Sequence, residues 1–236
     1  VTAWSAETPA LYTLRATLLQ GDVAVDDLCD RVGFREIRVK GKKLLLNGEP
    51  LRLWGFNRHE DHPMYGCALP PVAMAQDLAI FEDLQANFLR TSHYPNDQRL
   101  LDMCDERGIY VWEESHARQT PFKVPNFDEQ IRVNTQEMVE KHYNHPCILM
   151  WGCLNECDTA SDDGEAVHAR VLQQLRSLDD SRPITYAGHL RQKDRCCGYA
   201  DIVSLNLYTG WYGGEPEKTL EDFAQLLDCT RGHHLV

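Results

Sequence analysis

The stretch that decides the fold is NHPCILMWGCLNE, residues 144–156. Its centre is a continuous apolar run with the length of a strand, and the run stops at Asn155 and Glu156. A strand this apolar is typical of a parallel sheet with both faces covered. Similar short runs precede and follow it, separated by segments whose apolar residues recur at helical spacing. This alternation predicts a parallel sheet covered by helices.

Six strands of this kind are predicted along the chain. They cover residues 51–57, 88–94, 109–114, 147–156, 184–188 and 202–208. Most of them end in polar residues, which a (β/α)8 barrel gathers at one face as its active site. A doubly wound sheet would have its site at one switch point and often a glycine-rich first turn, but no G-x-G-x-x-G motif follows the first strand of this chain. The predicted fold is therefore an α/β barrel.

The first part of the chain has a different pattern. Residues 11–19 and 23–34 read as two strands joined by a turn at Gly21 and Asp22. Two strands are too few for a domain, so we expect them to be the last hairpin of a β-sandwich that begins upstream. The predicted domains are residues 1–35, the end of that sandwich, and residues 36–236, the barrel.

The composition excludes several classes of protein. The chain has 236 residues, 24 of them basic and 36 acidic, and its net charge of −12 argues against nucleic acid as a partner. No apolar run reaches the roughly 20 residues of a membrane span, so no membrane partner is expected either. Nine scattered cysteines without zinc-site spacing indicate free thiols and a reducing, cytoplasmic location. We predict no cofactor.

Glu156 is the sharpest candidate for chemistry. It closes the apolar run and is the only charged residue in WGCLNE. A carboxyl group at the rim of an apolar wall is partly desolvated, which raises its pKa and suits a general acid near neutral pH. The structural alternative is that Glu156 pairs with an arginine or caps the following helix.

Other polar side chains near the strand ends fit a hydroxyl-rich ligand. His59 and His93 follow neighbouring strands without the H-E-x-x-H spacing of a zinc helix, so we interpret them as hydrogen-bonding groups at a cleft mouth. Arg90 lies within a strand and needs a carboxylate partner inside the barrel. Tyr208 and Trp211 follow the sixth strand, where their rings could stack on a sugar.

Together these motifs resemble glycoside hydrolase family 2, which includes the β-galactosidases and β-glucuronidases. Six motifs occur in the family's order: GFNRHED (55–61), RTSHYPND (90–97), GIYVWEE (108–114), NHPCILMWGCLNE (144–156), LDDSRPIT (178–185) and SLNLYTGWY (204–212). WSAETPALYTL (4–14) is similar to the family's exit from an immunoglobulin-like domain. The resemblance implies an incomplete (β/α)8 TIM barrel, with about six βα units, preceded by the last strands of an immunoglobulin-like β-sandwich.

The resemblance also implies an activity. The parent protein would be a retaining exo-β-glycosidase that hydrolyses terminal β-galactosides or β-glucuronides by double displacement. Glu156 would be the acid/base catalyst, which protonates the leaving oxygen and then deprotonates the attacking water. Asn155 would bind the 2-hydroxyl of the sugar.

Further substrate-binding residues follow from the same resemblance. His59 and His93 would bind sugar hydroxyls, and Arg90 would orient the carboxylate of the nucleophile. Tyr208 would donate a hydrogen bond to that carboxylate. Glu114, at the end of the third strand, completes the predicted substrate-binding set with Trp211, and no metal ligand is claimed.

The nucleophile itself is not among the predicted strands. The resemblance places it at the end of a seventh strand, whereas the predicted strands stop at six and the terminal RGHHLV falls where the seventh would begin. We therefore expect an internal fragment that carries the acid/base, lacks the nucleophile beyond Val236 and is inactive alone. Its unpaired sheet edges favour association with other chains, and the parent is expected to be a homo-oligomer.

The motifs leave the sugar open between two kinds. GWY (210–212) resembles the β-glucuronidases, whereas HEDHPMYG (59–66) resembles the β-galactosidases. Two other functions also stay open. A non-catalytic carbohydrate-binding remnant would need His59, His93 and Trp211 but not Glu156. A metal-dependent hydrolase on the same barrel would use His59, His93 and Glu114 as ligands.

Overall fold

The structure is a computed structural model that describes residues 1–230 and 234–235. Its strands are β1 (Tyr12–Gln20), β2 (Val23–Val32), β3 (Ile37–Lys40), β4 (Lys43–Leu46), β5 (Glu49–Pro50), β6 (Gly55–Arg58), β7 (Phe88–Thr91), β8 (Tyr110–Glu114), β9 (Ile148–Cys153), β10 (Ile184–Gly188), β11 (Ile202–Leu205) and β12 (His234–Leu235). Its α-helices are α1 (Pro71–Asp83), α2 (Gln98–Arg107), α3 (Phe127–His142), α4 (Asp162–Leu178) and α5 (Thr219–Cys229).

The described part of the barrel is one parallel sheet. Its seven strands have the order β12-β11-β10-β9-β8-β7-β6, and a helix connects most consecutive pairs. This arrangement is a partial TIM barrel and confirms the predicted fold. β12 adds a short seventh strand at the place where the sequence predicted one to begin, with His234 opposite Ile202 of β11.

The strands are shorter than predicted at their polar ends. The predicted strand 147–156 ends at Cys153, and the predicted strand 202–208 ends at Leu205. The apolar parts of the strands are buried under the outer helices. In β9, every residue is buried. Polar residues that follow these strands, Asn155, Glu156 and Tyr208, line the site described below.

Close strand packing depends on one glycine at the start of β6. A Cβ atom on Gly55 would lie 1.5 Å from the carbonyl oxygen of Phe88 on β7. Only a residue without a side chain permits this approach. α2 ends as predicted at Gly108, which has the left-handed φ of 70° that favours glycine after a helix.

Two smaller antiparallel sheets precede the barrel. β1 and β2 form the predicted hairpin, and β3, β4 and β5 form a three-stranded sheet that the sequence did not predict. Leu44 of β4 is buried in the same core as Trp4, whose indole donates to the carbonyl of Asp105 at the end of α2. Runs as short as KLLL (43–46) carry too little periodicity to distinguish a strand from a loop.

The motif LDDSRPIT has a structural role beneath the barrel. Asp179 accepts hydrogen bonds from the indole of Trp151 on β9, at 2.8 Å, and from the guanidinium of Arg182, at 2.6 Å. Arg182 also donates to the backbone carbonyls of Ile148 and His145, at 2.9 and 3.0 Å. This buried network fixes the beginning of β9 against the end of α4.

We expect Asp179→Ala to destabilise the protein strongly. Removal of the carboxylate leaves the buried Arg182 charge without its partner, which costs about 3–5 kcal/mol of unfolding free energy. Asp180→Ala is the matched control, because Asp180 is the exposed neighbour. The free energies of unfolding in urea compare the two variants with the parent, and equal values for both variants would contradict the structural role of Asp179.

Candidate active site

A cleft lies at the carboxyl ends of the parallel strands, with a volume of about 330 Å³. Segments that follow β6, β7, β8, β9 and β11 contribute its walls. The described residues that line it are Asn57, His59, Arg90, Ser92, His93, Arg118, Gln119, Asn155, Glu156, Tyr208 and Tyr212. We call it the Glu156 cleft, because Glu156 is the one carboxylate among those lining residues.

The backbone around Glu156 is held in an unusual conformation. Leu154 and Glu156 both have left-handed φ angles, 55° and 52°, which non-glycine residues rarely adopt. Neighbouring backbone groups stabilise this bend: Asn155 donates to the carbonyl of Ala117 and Glu156 to that of Ala187, each at 2.8 Å. Strain of this kind is tolerated where the surroundings fix it, and it aims the Glu156 side chain into the cleft.

Three side chains donate hydrogen bonds to the Glu156 carboxylate. Asn206 and Tyr208 donate to Oε1, each at 2.7 Å, and Gln119 donates to Oε2 at 2.8 Å. Partial burial raises the pKa of Glu156, but these three donors outweigh it and the net pKa is lowered. The sequence analysis predicted a raised pKa for Glu156. This prediction is wrong, because the sequence did not reveal the three hydrogen-bond donors among the described residues.

The hydroxyl of Tyr208 stays protonated over a wide pH range and so remains a hydrogen-bond donor. Burial, followed by the contact with the Glu156 carboxylate, raises the pKa of Tyr208 to about 12. The resemblance implied that Tyr208 donates to the nucleophile. In the structure its hydroxyl donates to Glu156.

A buried ion pair forms the floor of the cleft. Arg90 on β7 binds Glu114 on β8 through two hydrogen bonds of 3.0 Å, and its guanidinium lies 4.3 Å above the centre of the Trp112 ring. This confirms the carboxylate partner that Arg90 was predicted to need. Arg90 also donates to Oδ1 of Asn155 at 2.7 Å, so the amide nitrogen of Asn155 is the end left for a ligand.

The two predicted histidines lie side by side. The rings of His59 and His93 meet edge to face, with their centres 5.1 Å apart. His93 also contacts Oε1 of Glu114 through Nδ1, at 2.9 Å. Burial, with the neighbouring His93 next, lowers the pKa of His59, which favours a neutral ring that can both donate and accept hydrogen bonds.

Two predicted substrate contacts need correction. Glu114 is 1% exposed, and both of its oxygens are engaged by Arg90 and His93, so it positions these residues and does not face a substrate. Trp211 is 79% exposed and is not among the described residues that line the cleft. Tyr212 occupies the wall instead.

Sequence reasoning missed several residues near Glu156, among them Arg118, Gln119 and His189. Arg118 and Gln119 lie in an irregular segment after β8, where periodicity carries no signal. His189 follows β10, and the strand-end rule applied to YAGH (186–189) would have found it. Its Nδ1 is buried and has no hydrogen-bond partner among the described residues.

The described residues give little support to a metal site in the cleft. One group of three side chains has its ligand atoms close enough for a metal ion: Asp105, His145 and Cys147. All three are buried, and the imidazole of His145 binds Asp105 directly at 2.6 Å. His59, His93 and Glu114, the ligands of the metal-hydrolase alternative, do not form such a group in the part of the chain that the structure describes.

Two further expectations concern the cysteines and the membrane. The cysteines whose side chains are described are all free thiols, as predicted. In the ranges 1–230 and 234–235, no helix combines the length and the apolar character needed to cross a membrane.

Comparison with solved structures reveals close similarity over the whole chain. A GH2 β-galacturonidase from Eisenbergiella tayi bound to galacturonate is 46% identical, with a TM-score of 0.94 over 99% of this chain and 43% of that one. A β-glucuronidase from Ruminococcus gnavus in complex with a C6-substituted uronic isofagomine is 28% identical, with a TM-score of 0.93 over 100% of this chain and 43% of that one.

Comparisons with curated proteins and with family descriptions agree with the comparison of structures. A β-galactosidase from Vibrio cholerae serotype O1 is 34% identical over 195 residues, which are 79% of this chain and 19% of that protein. The chain thus spans less than half of each relative. "Glycosyl hydrolases family 2" matches residues 1–35, and "Glycosyl hydrolases family 2, TIM barrel domain" matches residues 37–232. The chain belongs to glycosyl hydrolase family 2.

Proposed function

We propose that the protein is a retaining exo-β-glycosidase that releases a terminal β-linked hexuronic acid, with Glu156 as its acid/base catalyst. The observation that carries this proposal is the placement of Glu156, the one carboxylate among the described lining residues, at the end of β9 beside Asn155 and Tyr208. Membership of the family supports the reaction class.

In the first step Glu156 donates its proton to the glycosidic oxygen while a nucleophilic carboxylate attacks the anomeric carbon. The described cleft residues include no second carboxylate, so the nucleophile is supplied by residues outside them. Gln119, Asn206 and Tyr208 stabilise the carboxylate that remains on Glu156. In the second step this carboxylate takes a proton from the water that releases the sugar.

The nucleophile also adjusts the protonation of Glu156. In retaining glycosidases the two carboxyl groups lie about 5–5.5 Å apart. A negative charge at that distance raises the pKa of its neighbour, which opposes the three donors and allows Glu156 to hold the proton it must give. Once the nucleophile is bonded to the sugar its charge disappears, and the donors then favour the carboxylate that acts as a base.

The neighbours of Glu156 are suited to hold the sugar. Arg90 and Asn206 both occupy Oδ1 of Asn155, which leaves its amide nitrogen to donate to the 2-hydroxyl. A hydrogen bond there strengthens as positive charge develops on the ring in the transition state. His59 and His93 line the same cleft and bind further hydroxyls.

Arg118 supports the choice of a hexuronic acid. It lines the cleft in a chain of net charge −12, and no carboxylate of the described residues lies within ion-pair distance of it. An arginine without a partner in a cleft is suited to bind a ligand carboxylate. Two solved relatives hold uronic ligands, the galacturonate and uronic isofagomine complexes. A β-galactoside is the second candidate, because of the similar β-galactosidase from Vibrio cholerae.

The variant Glu156→Gln, made in the protein that the complete gene encodes, tests whether Glu156 acts as the general acid. We expect kcat/KM for a phenyl β-hexuronide to fall by about 10²–10⁴-fold. The loss should be smaller for the 2,4-dinitrophenyl substrate, whose leaving group needs no proton. Glu215→Gln makes the same change in a loop outside the cleft and serves as the control. Equal losses on both substrates would overturn the assignment.

The variant Arg118→Gln tests whether the substrate sugar is a hexuronic acid or a galactose. If Arg118 binds the carboxylate, the ratio of kcat/KM for the nitrophenyl β-hexuronide to that for the nitrophenyl β-galactoside should fall by about 10- to 100-fold. Arg52→Gln removes the same charge from an exposed position that does not line the cleft. An unchanged ratio in Arg118→Gln would favour the galactoside.

Tyr208→Phe tests the hydrogen-bond network by pH dependence. Loss of the donor raises the pKa of Glu156, because the carboxylate loses stabilisation while the protonated form loses little. The acid then stays protonated to higher pH, so the alkaline limb of the kcat/KM profile should move to higher pH. Movement of that limb to lower pH would contradict the assigned roles of both residues.

A further inference from the structure

A buried polar cluster lies on the side of β6 that faces α1. Arg58, the last residue of β6, is 5% exposed and is not among the described residues that line the Glu156 cleft. Its Nε donates to Oδ2 of Asp77 on α1 at 3.0 Å, while Nη1 donates to Oε1 of Glu60 at 3.3 Å and to Oδ1 of Asn96 at 2.7 Å. We call these four side chains the Arg58 cluster. The cluster joins the end of β6 to α1 and to the segment between β7 and α2.

The position of His59 is set mainly by its neighbours in the chain. Among the described residues, its imidazole has ring contacts with His93 and Tyr94 but no hydrogen bond. The backbone of His59 must therefore determine where the ring lies. Arg58 and Glu60, on either side of His59, are bonded to each other within the Arg58 cluster, so the backbone between them is held at both ends.

Tyr94 extends this restraint to the ring of His59. The centres of the two rings lie 6.1 Å apart. The hydroxyl of Tyr94 accepts a hydrogen bond from the backbone nitrogen of Glu60 at 3.0 Å, and its carbonyl accepts one from Nδ2 of Asn96 at 3.2 Å. Asn96 thus connects Arg58 to the aromatic ring that lies beside His59.

We propose that Arg58 is a positioning residue for His59, which holds the imidazole beside His93 in the arrangement that substrate hydroxyls require. This role rests on the proposed function, because it needs His59 to bind the substrate. Glu60 and Asn96 are 9% and 4% exposed, and buried charged groups tolerate few alternative arrangements since each needs its partners. A shift of about 1 Å in a group that orients the substrate can lower the rate about 10²-fold.

A purely structural role makes a different prediction. If the Arg58 cluster only stabilised the packing of β6 against α1, its loss would lower activity by reducing the fraction of folded protein or by loosening the whole site. That loss would be the same whether or not residue 59 carries an imidazole. If Arg58 acts through His59, the loss disappears once the imidazole is removed.

A double-mutant cycle in the protein that the complete gene encodes tests this inference, with the nitrophenyl β-glycoside that the protein hydrolyses as substrate. We expect Arg58→Gln to lower kcat/KM by about 10- to 100-fold. Asn96→Ala keeps both ion pairs of Arg58, so it disturbs folding less, and should lower kcat/KM by about 5- to 20-fold. In the His59→Ala background each of these losses should shrink to less than about 2-fold.

Arg107→Gln is the matched control, since Arg107 also pairs with a carboxylate on α1, that of Glu82, but is not among the described residues that line the cleft. It should leave kcat/KM unchanged. Equal losses with and without the His59 imidazole would overturn the inference, as would full activity of Asn96→Ala or of His59→Ala. Failure of the proposed function gives a different result, in which Glu156→Gln does not discriminate between leaving groups.

Discussion

The buried ion pair between Arg90 and Glu114 is the constraint on which the site depends. Both side chains are nearly inaccessible to water, 5% and 1% exposed, so each charge requires the other. The pair joins β7 to β8, and the same guanidinium reaches Asn155 at the end of β9. Three neighbouring strands are thus held in one arrangement before any substrate arrives, and His93 is held through Glu114. Such preorganisation is what precise catalysis requires.

Glu156 is fixed in a complementary way, by its backbone as well as by its side chain. The backbone of Asn155 is bonded to the segment that follows β8 and that of Glu156 to β10 itself, while the carboxylate of Glu156 is bonded to groups that follow β8 and β11. The pKa of Glu156 therefore depends on three things: its burial, the three hydrogen-bond donors, and the charge of any group that faces the carboxylate. In the proposed mechanism the same side chain holds a proton in one step and accepts one in the next, because the charge of the facing nucleophile changes.

Much of this arrangement could be predicted from the sequence. Apolar runs that end in polar residues revealed the barrel and placed His59, Arg90, His93 and Glu156 at one face, because parallel strands bring their carboxyl ends together. Burial of a charge within a strand revealed that Arg90 needs a carboxylate. Periodicity could not identify Glu114 as that carboxylate, since the pairing of side chains depends on how neighbouring strands pack.

The remaining features depend on contacts that sequence patterns do not report. Gln119 reaches Glu156 from an irregular segment, and its donated hydrogen bond helped to reverse the expected direction of the pKa. Trp211 was expected to stack on a sugar only because it follows Tyr208, whereas in the structure it is exposed and does not line the cleft. The Arg58 cluster is a tertiary contact of the same kind, because it forms only where β6, α1 and the segment after β7 meet.

The most direct test of the account is the product formed by Glu156→Ala with a 2,4-dinitrophenyl β-glycoside in the presence of azide. An acid/base residue on the leaving-group side makes room for azide to attack the glycosyl-enzyme, so we predict faster turnover and a glycosyl azide with the β configuration. An α-glycosyl azide would identify Glu156 as the nucleophile, and no acceleration by azide would remove it from the reaction. Either result would contradict the assignment of Glu156 as the acid/base catalyst.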